Sequence, residues 1–224
     1  MKAITITREY GAGGGEVAKR LAEALGWQVL DRELLHQAAQ IERMPDEELD
    51  RLDEKAVSMA DRFRLHPPHQ KYLHGLTEAA RQAAQQGNVV LVGRGTRHLL
   101  GEMPEVFHLR LVAPRDWRIE RMAKLEGWSL DQARAKCLEV DRTRGLFSRY
   151  FFGDAATQPA QFDLVVNTAR MSPDEVASVV ASVVRQDWVG PVGGRSDGRV
   201  LTLSRELGAG ETQFAAALAE RLKM

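Results

Sequence analysis

The run Ala3-Ile4-Thr5-Ile6-Thr7 passes straight into Arg8-Glu9-Tyr10-Gly11-Ala12-Gly13-Gly14-Gly15, and the glycines open onto a helical pattern. This junction constrains the fold more than any other stretch. The β-branched residues before it read as a buried strand. After it, Val17, Ala18, Leu21, Ala22 and Leu25 recur at helical spacing, and Gly26 ends the run. A turn of this kind exposes backbone N–H groups at the positive end of the helix dipole, which attracts phosphate. Glycine lets the backbone approach closely and take a positive φ. The usual spacing of a phosphate loop is Gly, four residues, Gly, Lys, then Ser or Thr. Gly13 matches the second glycine, but Arg8 stands at the first glycine's place, Gly14 at the lysine's and Gly15 at the hydroxyl's. Taken alone, the pattern leaves two readings open: a phosphate loop, or a plain glycine-rich turn.

Strand-like and helix-like runs alternate beyond it. Residues 27–30 read as a short strand, with Asp31 capping a helix that contains Leu34, Leu35 and Ala38. A charged helix over 45–63 is broken by His66-Pro67-Pro68-His69, and a helix follows over 71–86. Residues 88–92 and 106–112 are apolar strands, helices span 114–126 and 129–150, a last strand covers 163–166, and a closing helix runs over 173–186. This alternation predicts an α/β fold, a parallel sheet with helices on both faces. Ligands in such sheets bind at the carboxyl ends of strands. Arg8, Asp31, Gly93 and Arg94 all follow strands and are expected to meet in one crevice.

The opening motif then returns near the far end. Thr5, Arg8, Glu9, Gly11, Ala12, Gly13, Ala18, Leu21, Ala22, Glu23 and Leu25 recur as Thr202, Arg205, Glu206, Gly208, Ala209, Gly210, Ala215, Leu218, Ala219, Glu220 and Leu222. The organisation expected is one domain over 1–187, a linker over 188–198, and a partial second copy of the first βα unit over 199–224. One strand and one helix cannot bury a core alone. The copy must dock on the first domain, pair with another chain as a homo-oligomer, or open a further domain. Its turn carries Glu211 at the lysine's place, which would repel phosphate.

Equal numbers of basic and acidic residues, 31 of each, argue against a protein that coats polymeric nucleic acid. The single cysteine, Cys137, rules out an intrachain disulfide and fits a reducing compartment, as a buried structural thiol. There is no leading apolar signal region, and no apolar run reaches the roughly 18 residues of a membrane span. A cytoplasmic protein with small-molecule partners, no nucleic-acid polymer and no membrane is expected.

The segment Thr7-Arg8-Glu9-Tyr10-Gly11-Ala12-Gly13-Gly14 after a strand resembles the cytidylate kinase-like family, P-loop proteins similar to bacterial cytidylate kinases. The resemblance runs in order over residues 1 to about 187. It continues through Val29-Leu30-Asp31-Arg32-Glu33-Leu34, Val90-Leu91-Val92-Gly93-Arg94-Gly95, Asp141-Arg142-Thr143-Arg144, and Phe162-Asp163-Leu164-Val165-Val166-Asn167-Thr168.

The resemblance implies a three-layer P-loop NTPase fold with a helical lid, to which this chain appends a C-terminal βα unit. It also implies phosphoryl transfer from ATP, with Mg2+, to a nucleoside monophosphate such as CMP or dCMP. Gly11, Ala12, Gly13, Gly14, Gly15 and Glu16 would hold the donor's phosphates. Asp31, Arg32, Gly93 and Arg94 would hold the acceptor. Arg142, Arg144 and Arg149, ahead of and within an aromatic run, would close over the transferring group, with Arg8 or a lid arginine replacing the absent lysine. Such chemistry is positioning plus charge neutralisation, which arginine's planar fork suits. Arg118 and Arg121, on the helix after the strand over 106–112, either help line the donor site or lie at the surface, and the surface is the position expected. Gly95 stands where true cytidylate kinases carry Asp. The missing lysine keeps a second reading open, a non-catalytic nucleotide-binding regulatory module.

Overall fold

The computed structural model describes residues 1–31, 67–93, 95–101, 103–185 and 211–222. Its strands are β1 (Ala3–Arg8), β2 (Gln28–Leu30), β3 (Val89–Val92), β4 (Val106–Val112) and β5 (Leu164–Asn167). Its helices are α1 (Gly14–Leu25), α2 (Pro67–Gln86), α3 (Thr96–Leu99), α4 (Arg115–Glu126), α5 (Leu130–Phe152), α6 (Pro173–Arg185) and α7 (Glu211–Leu222). The strands form one parallel sheet in the order β2-β3-β1-β4-β5. β1 is central, which explains its β-branched, buried sequence, and β3 is buried along its whole length because helices cover both faces.

Neighbouring residues of β1 serve opposite faces, as strand geometry demands. Ile4 and Ile6 pack with Val17 and Leu21 of α1 and Val176 and Val180 of α6. Ala3 joins Leu76 and Ala80 of α2, Val89 and Leu91 of β3, and Phe147 of α5 on the other face. Each fully buried aliphatic side chain contributes about 1.5–3 kcal/mol. The β1–α1 junction is therefore anchored on both sides. The chain runs from β1 to β2 and β3 on one side, then crosses to β4 and β5 on the other. The carboxyl end of β1 is the switch point, where open α/β sheets bind their ligands.

Gly26 ends α1 at φ 69°, with its N–H directed to the carbonyls of Ala22 and Glu23, as its position after the last apolar residue predicts. α5 starts on a capping box between Ser129 and Gln132. α4 and α5 share a small core of Ile119, Met122, Ala133 and Cys137, against which Tyr10 packs. Burial pushes the Cys137 thiol's pKa up, in keeping with a structural role.

Three expectations need correction or qualification. The Pro67-Pro68 pair does not delay the helix: α2 begins at Pro67, because the first helical position needs no N–H donor and suits proline's fixed φ. The short helix α3 and the 3-10 turns Asp154–Thr157 and Pro159–Gln161 carry no apolar period and were not anticipated. The helix expected after Asp31, the charged helix over 45–63, the linker over 188–198 and the second glycine turn lie outside the described residues. Of the second copy, α7 is described, with Phe214 58% exposed. Among the described residues, no helix is long and apolar enough to cross a membrane.

Candidate functional site

The loop between β1 and α1 is shaped by two left-handed glycines, Gly11 at φ 79° and Gly13 at φ 78°. Gly13 is the N-cap of α1 and brings no side chain to it. The helix therefore starts with N–H groups that neither its own turns nor a capping side chain satisfies, an anion-attracting arrangement.

Gly14 is glycine for a different reason. A Cβ there would lie 2.7 Å from Arg8 Cγ, so the stem of Arg8 fills the space a side chain at position 14 would need. The Arg8 guanidinium extends to Asp31, with Nη2 3.8 Å from Oδ1. Arg144 Nη1 donates to the Arg8 carbonyl at 3.1 Å, and its guanidinium lies 5.7 Å from the centre of the Tyr10 ring. Arg8, Asp31 and Arg144 thus meet at the carboxyl end of β1, as expected for Arg8 and Asp31.

Arg118 and Arg121 depart from the surface positions preferred for them, and Arg121 takes the alternative place, in the lining of the clefts beside the glycine loop. Arg118 is buried, at 4% exposure. Its Nε donates to the Ala113 carbonyl at 3.0 Å, and its Nη1 to the Tyr10 carbonyl at 2.9 Å and to Asp141 Oδ2 at 2.6 Å. The Tyr10 N–H donates to Asp141 Oδ1 at 3.1 Å. Glu9 completes the hub, accepting from the Ala113 N–H at 3.0 Å, with Arg118 Nε 3.5 Å away. The hub ties the glycine loop to α4 and α5.

Arg121 lies over the loop. Its Nη2 is 2.5 Å from Glu16 Oε1, its Nη1 donates to the Gly11 carbonyl at 3.3 Å, and it sits 5.9 Å from the Trp117 ring centre. Arg121 belongs to the lining of two clefts at once. One, of about 300 Å³, includes Arg8, Gly14, Gly15 and Arg144. The other, of about 320 Å³, is bounded by Ala12, Val17, Trp117 and the segment from Thr168 to Pro173 after β5. A signal for this existed: Arg118 and Arg121 are three apart on one helix and so share a face, beside the apolar Ile119 and Met122.

The remaining expected residues divide. Gly11, Gly14 and Gly15 line the smaller cleft, Ala12 the larger, and Gly13 and Glu16 both. Arg142 and Arg149 are exposed and line neither, and Arg149 pairs with Asp154 at 3.1 Å. Of the three expected lid arginines only Arg144 reaches the loop, since positions 142 and 149 project from other faces of α5. Gly93 follows β3 and is half-buried, whereas Arg32 and Arg94 lie outside the described residues. Gly95 caps α3 at φ 74°, and the Phe152 ring, stacked on His98 at 4.7 Å, packs against it and leaves no room for a side chain.

Beneath the site, Thr5 Oγ1 and His108 Nδ1 share a hydrogen bond of 2.8 Å between β1 and β4. Burial, reinforced by Arg97, lowers the His108 pKa to about 4, so the ring is neutral near pH 7. Burial also raises the pKa of Tyr10, with the Glu126 carboxylate adding to it.

A resident metal is not suited by this loop. Gly15 offers no hydroxyl, the Glu16 carboxylate is paired with Arg121 and Asp31 with Arg8. Among the described residues no three His, Cys, Asp or Glu side chains converge.

A central parallel sheet with a glycine loop opening α1 defines an α/β protein with a P-loop fold. The chain is similar in fold to a shikimate kinase from Bacteroides thetaiotaomicron, at a TM-score of 0.50 and 15% identity over 82% of this chain and 98% of that one. An uncharacterised protein from Eubacterium ventriosum is more similar, at a TM-score of 0.63 and 19% identity over 83% of this chain and 99% of the other. Residues 3–170 match the model of the cytidylate kinase-like family, and the chain belongs to that family. Archaeal proteins named cytidylate kinase align at 27–30% identity. That of Pyrococcus horikoshii is 29% identical over 200 residues, covering 88% of this chain and 96% of its relative.

Proposed function

We propose that the chain transfers the γ-phosphoryl group of ATP to a nucleoside monophosphate, with CMP or dCMP as acceptor. The observation that carries this reading is the pair of clefts divided by Arg121 beside the uncapped start of α1. The cleft at Trp117 and the segment after β5 suits the donor's base, which can stack on an aromatic face. The glycine loop suits its phosphates. Family membership and the names of the archaeal relatives support the same reaction class.

In this reading Gly11 to Glu16 hold the donor polyphosphate through backbone N–H groups. Asp31, Arg32, Gly93 and Arg94 receive the acceptor. A phosphate oxygen of the acceptor attacks the γ-phosphorus in line, the bond to the β-phosphate oxygen breaks, and ADP leaves. Arg8 and Arg144 neutralise charge on the oxygens of the group in flight. Mg2+ would come with the nucleotide as its counter-ion, and no side chain of the loop is assigned to hold it. It would screen the charge of the phosphate oxygens and asks no ligand of Gly15. The reaction needs no polymer and no membrane, and the domain carrying it is taken as 1–187.

One feature favours a second reading, a nucleotide-binding module without turnover: the Arg8 stem lies against position 14, where a lysine would have to displace it. Two measurements on the wild-type chain separate the readings, ADP release with a panel of nucleoside monophosphates and calorimetry with ATP. Acceptor-dependent ADP release supports the kinase. ATP binding without release under any acceptor supports the module, and absence of both rejects the nucleotide reading.

A further inference from the structure

We infer that Arg121 supplies the positive charge that a phosphate loop ordinarily takes from its lysine, and that the Glu16 carboxylate occupies Arg121 as a stand-in for phosphate until nucleotide arrives. This rests on the proposed nucleotide reading of the same loop and names a residue that reading does not require.

Three observations carry it. First, position 14 is glycine and the Arg8 stem lies against it, 2.7 Å from where a Cβ would stand, so the loop's cation comes from elsewhere. Second, Arg121 lies over the loop and reaches both clefts, whereas Arg8 and Arg144 line one. Its Nη2 is 3.7 Å from the point where a Gly13 Cβ would stand. Third, its present partners are oxygens of the loop and of the first helical turn. They are the Glu16 carboxylate at 2.5 Å and the Gly11 carbonyl at 3.3 Å.

Glu16 sits in the first turn of α1, where a negative charge is favoured by the same N–H groups and dipole that favour phosphate. A carboxylate gripping a guanidinium at that point has the shape and charge of a phosphate oxygen pair on the same guanidinium. Arg121 also lies over Trp117, 5.9 Å from the ring centre, at the edge of the neighbouring cleft. A donor polyphosphate entering along the loop competes with Glu16 for Arg121. Glu16 then turns to solvent, where it is already exposed. The device keeps Arg121 aimed at the loop without nucleotide, and it lowers affinity by the strength of the contact it makes.

The test is calorimetric, with ATP and inorganic tripolyphosphate as separate probes, on wild type and on Arg121→Ala, Arg121→Lys and Glu16→Gln. Arg121→Ala is expected to weaken both probes at least tenfold, Arg121→Lys to restore part of that loss, and Glu16→Gln to tighten both probes severalfold. Loss on tripolyphosphate separates a phosphate contact from a base contact, since that probe has no base. Melting curves without ligand check that each variant folds. If Arg121→Ala does not fold, the Glu16→Gln and Arg121→Lys arms decide alone. Wild type that binds both probes while Arg121→Ala binds them equally well overturns this assignment and leaves the nucleotide reading standing. So does Glu16→Gln binding no tighter than wild type. Wild type that binds neither probe overturns the nucleotide reading and this assignment together.

Discussion

The side chain of Arg8 lies where a side chain of Gly14 would have to go: Arg8 Cγ is 2.7 Å from the position of a Gly14 Cβ. A lysine at position 14 would therefore have to displace the Arg8 stem. Gly14→Lys is expected to lower stability by about 1–3 kcal/mol through overpacking. The pair should couple, so that Arg8→Ala with Gly14→Lys costs less than the sum of the two single changes. Urea denaturation of the four proteins in the cycle measures this, and strict additivity would contradict it.

Asp141 carries part of the charge balance of buried Arg118, at 2.6 Å, and also binds the Tyr10 N–H. Asp141→Asn keeps the shape and removes the charge. Breaking a fully buried pair costs about 3–5 kcal/mol, and the side chain of Asp141 is 30% exposed, so about 2 kcal/mol is expected. Chemical denaturation gives the number. A variant as stable as wild type would mean that the other acceptors around Arg118 suffice.

Arg144 touches the loop and Arg142 and Arg149 do not line the clefts. Removing one preorganised charge at a transition state costs on the order of a hundredfold in rate. Arg144→Ala is therefore expected to lower kcat by at least about tenfold, with Arg142→Ala and Arg149→Ala close to wild type. Steady-state kinetics on the three variants tests the division, and equal losses in all three would contradict it.

His108 is held neutral by burial, with a pKa of about 4 against 6.5 for the free side chain. Between these values the unfolded chain binds a proton that the folded chain refuses. Stability is therefore full above about pH 6.5 and falls as the pH drops toward 4. The whole shift is worth about 3 kcal/mol. His108→Gln should flatten the stability profile across this window. A profile as steep as that of wild type would assign the acid loss to other groups.

The fold was legible because its signals are local. The alternating Ile4 and Ile6, the glycines after Arg8, the unbroken apolar run of β3 and Gly26 at the end of α1 each declare one element, and a parallel sheet follows from their order. The site was legible only in part. Gly11, Gly13 and Arg8 announce themselves by residue type and by their position after β1. Arg118 and Arg121, on a polar helix, leave two readings, part of the donor site's lining or surface charges, and the second is the one expected. Their spacing puts them on one face of α4, but what that face meets depends on how α4 returns over the loop, which spacing does not encode. Position 95 shows the same limit. An acidic side chain is missing there, yet the reason, the Phe152 ring against Gly95, lies far along the chain at the end of α5. The lid arginines were grouped by sequence proximity, whereas a helix separates neighbours onto different faces, so that Arg144 meets the Arg8 carbonyl and Arg142 points to solvent.

The central claim is phosphoryl transfer, and the fate of the phosphorus atom tests it most directly. ATP labelled at the γ-phosphate is incubated with the wild-type chain, Mg2+ and CMP, and the products are separated. Label is expected in CDP, formed in step with ADP and at least about tenfold more slowly in Arg144→Ala. Label that stays in ATP, or passes only to inorganic phosphate with CMP and every other nucleoside monophosphate supplied, would contradict that claim.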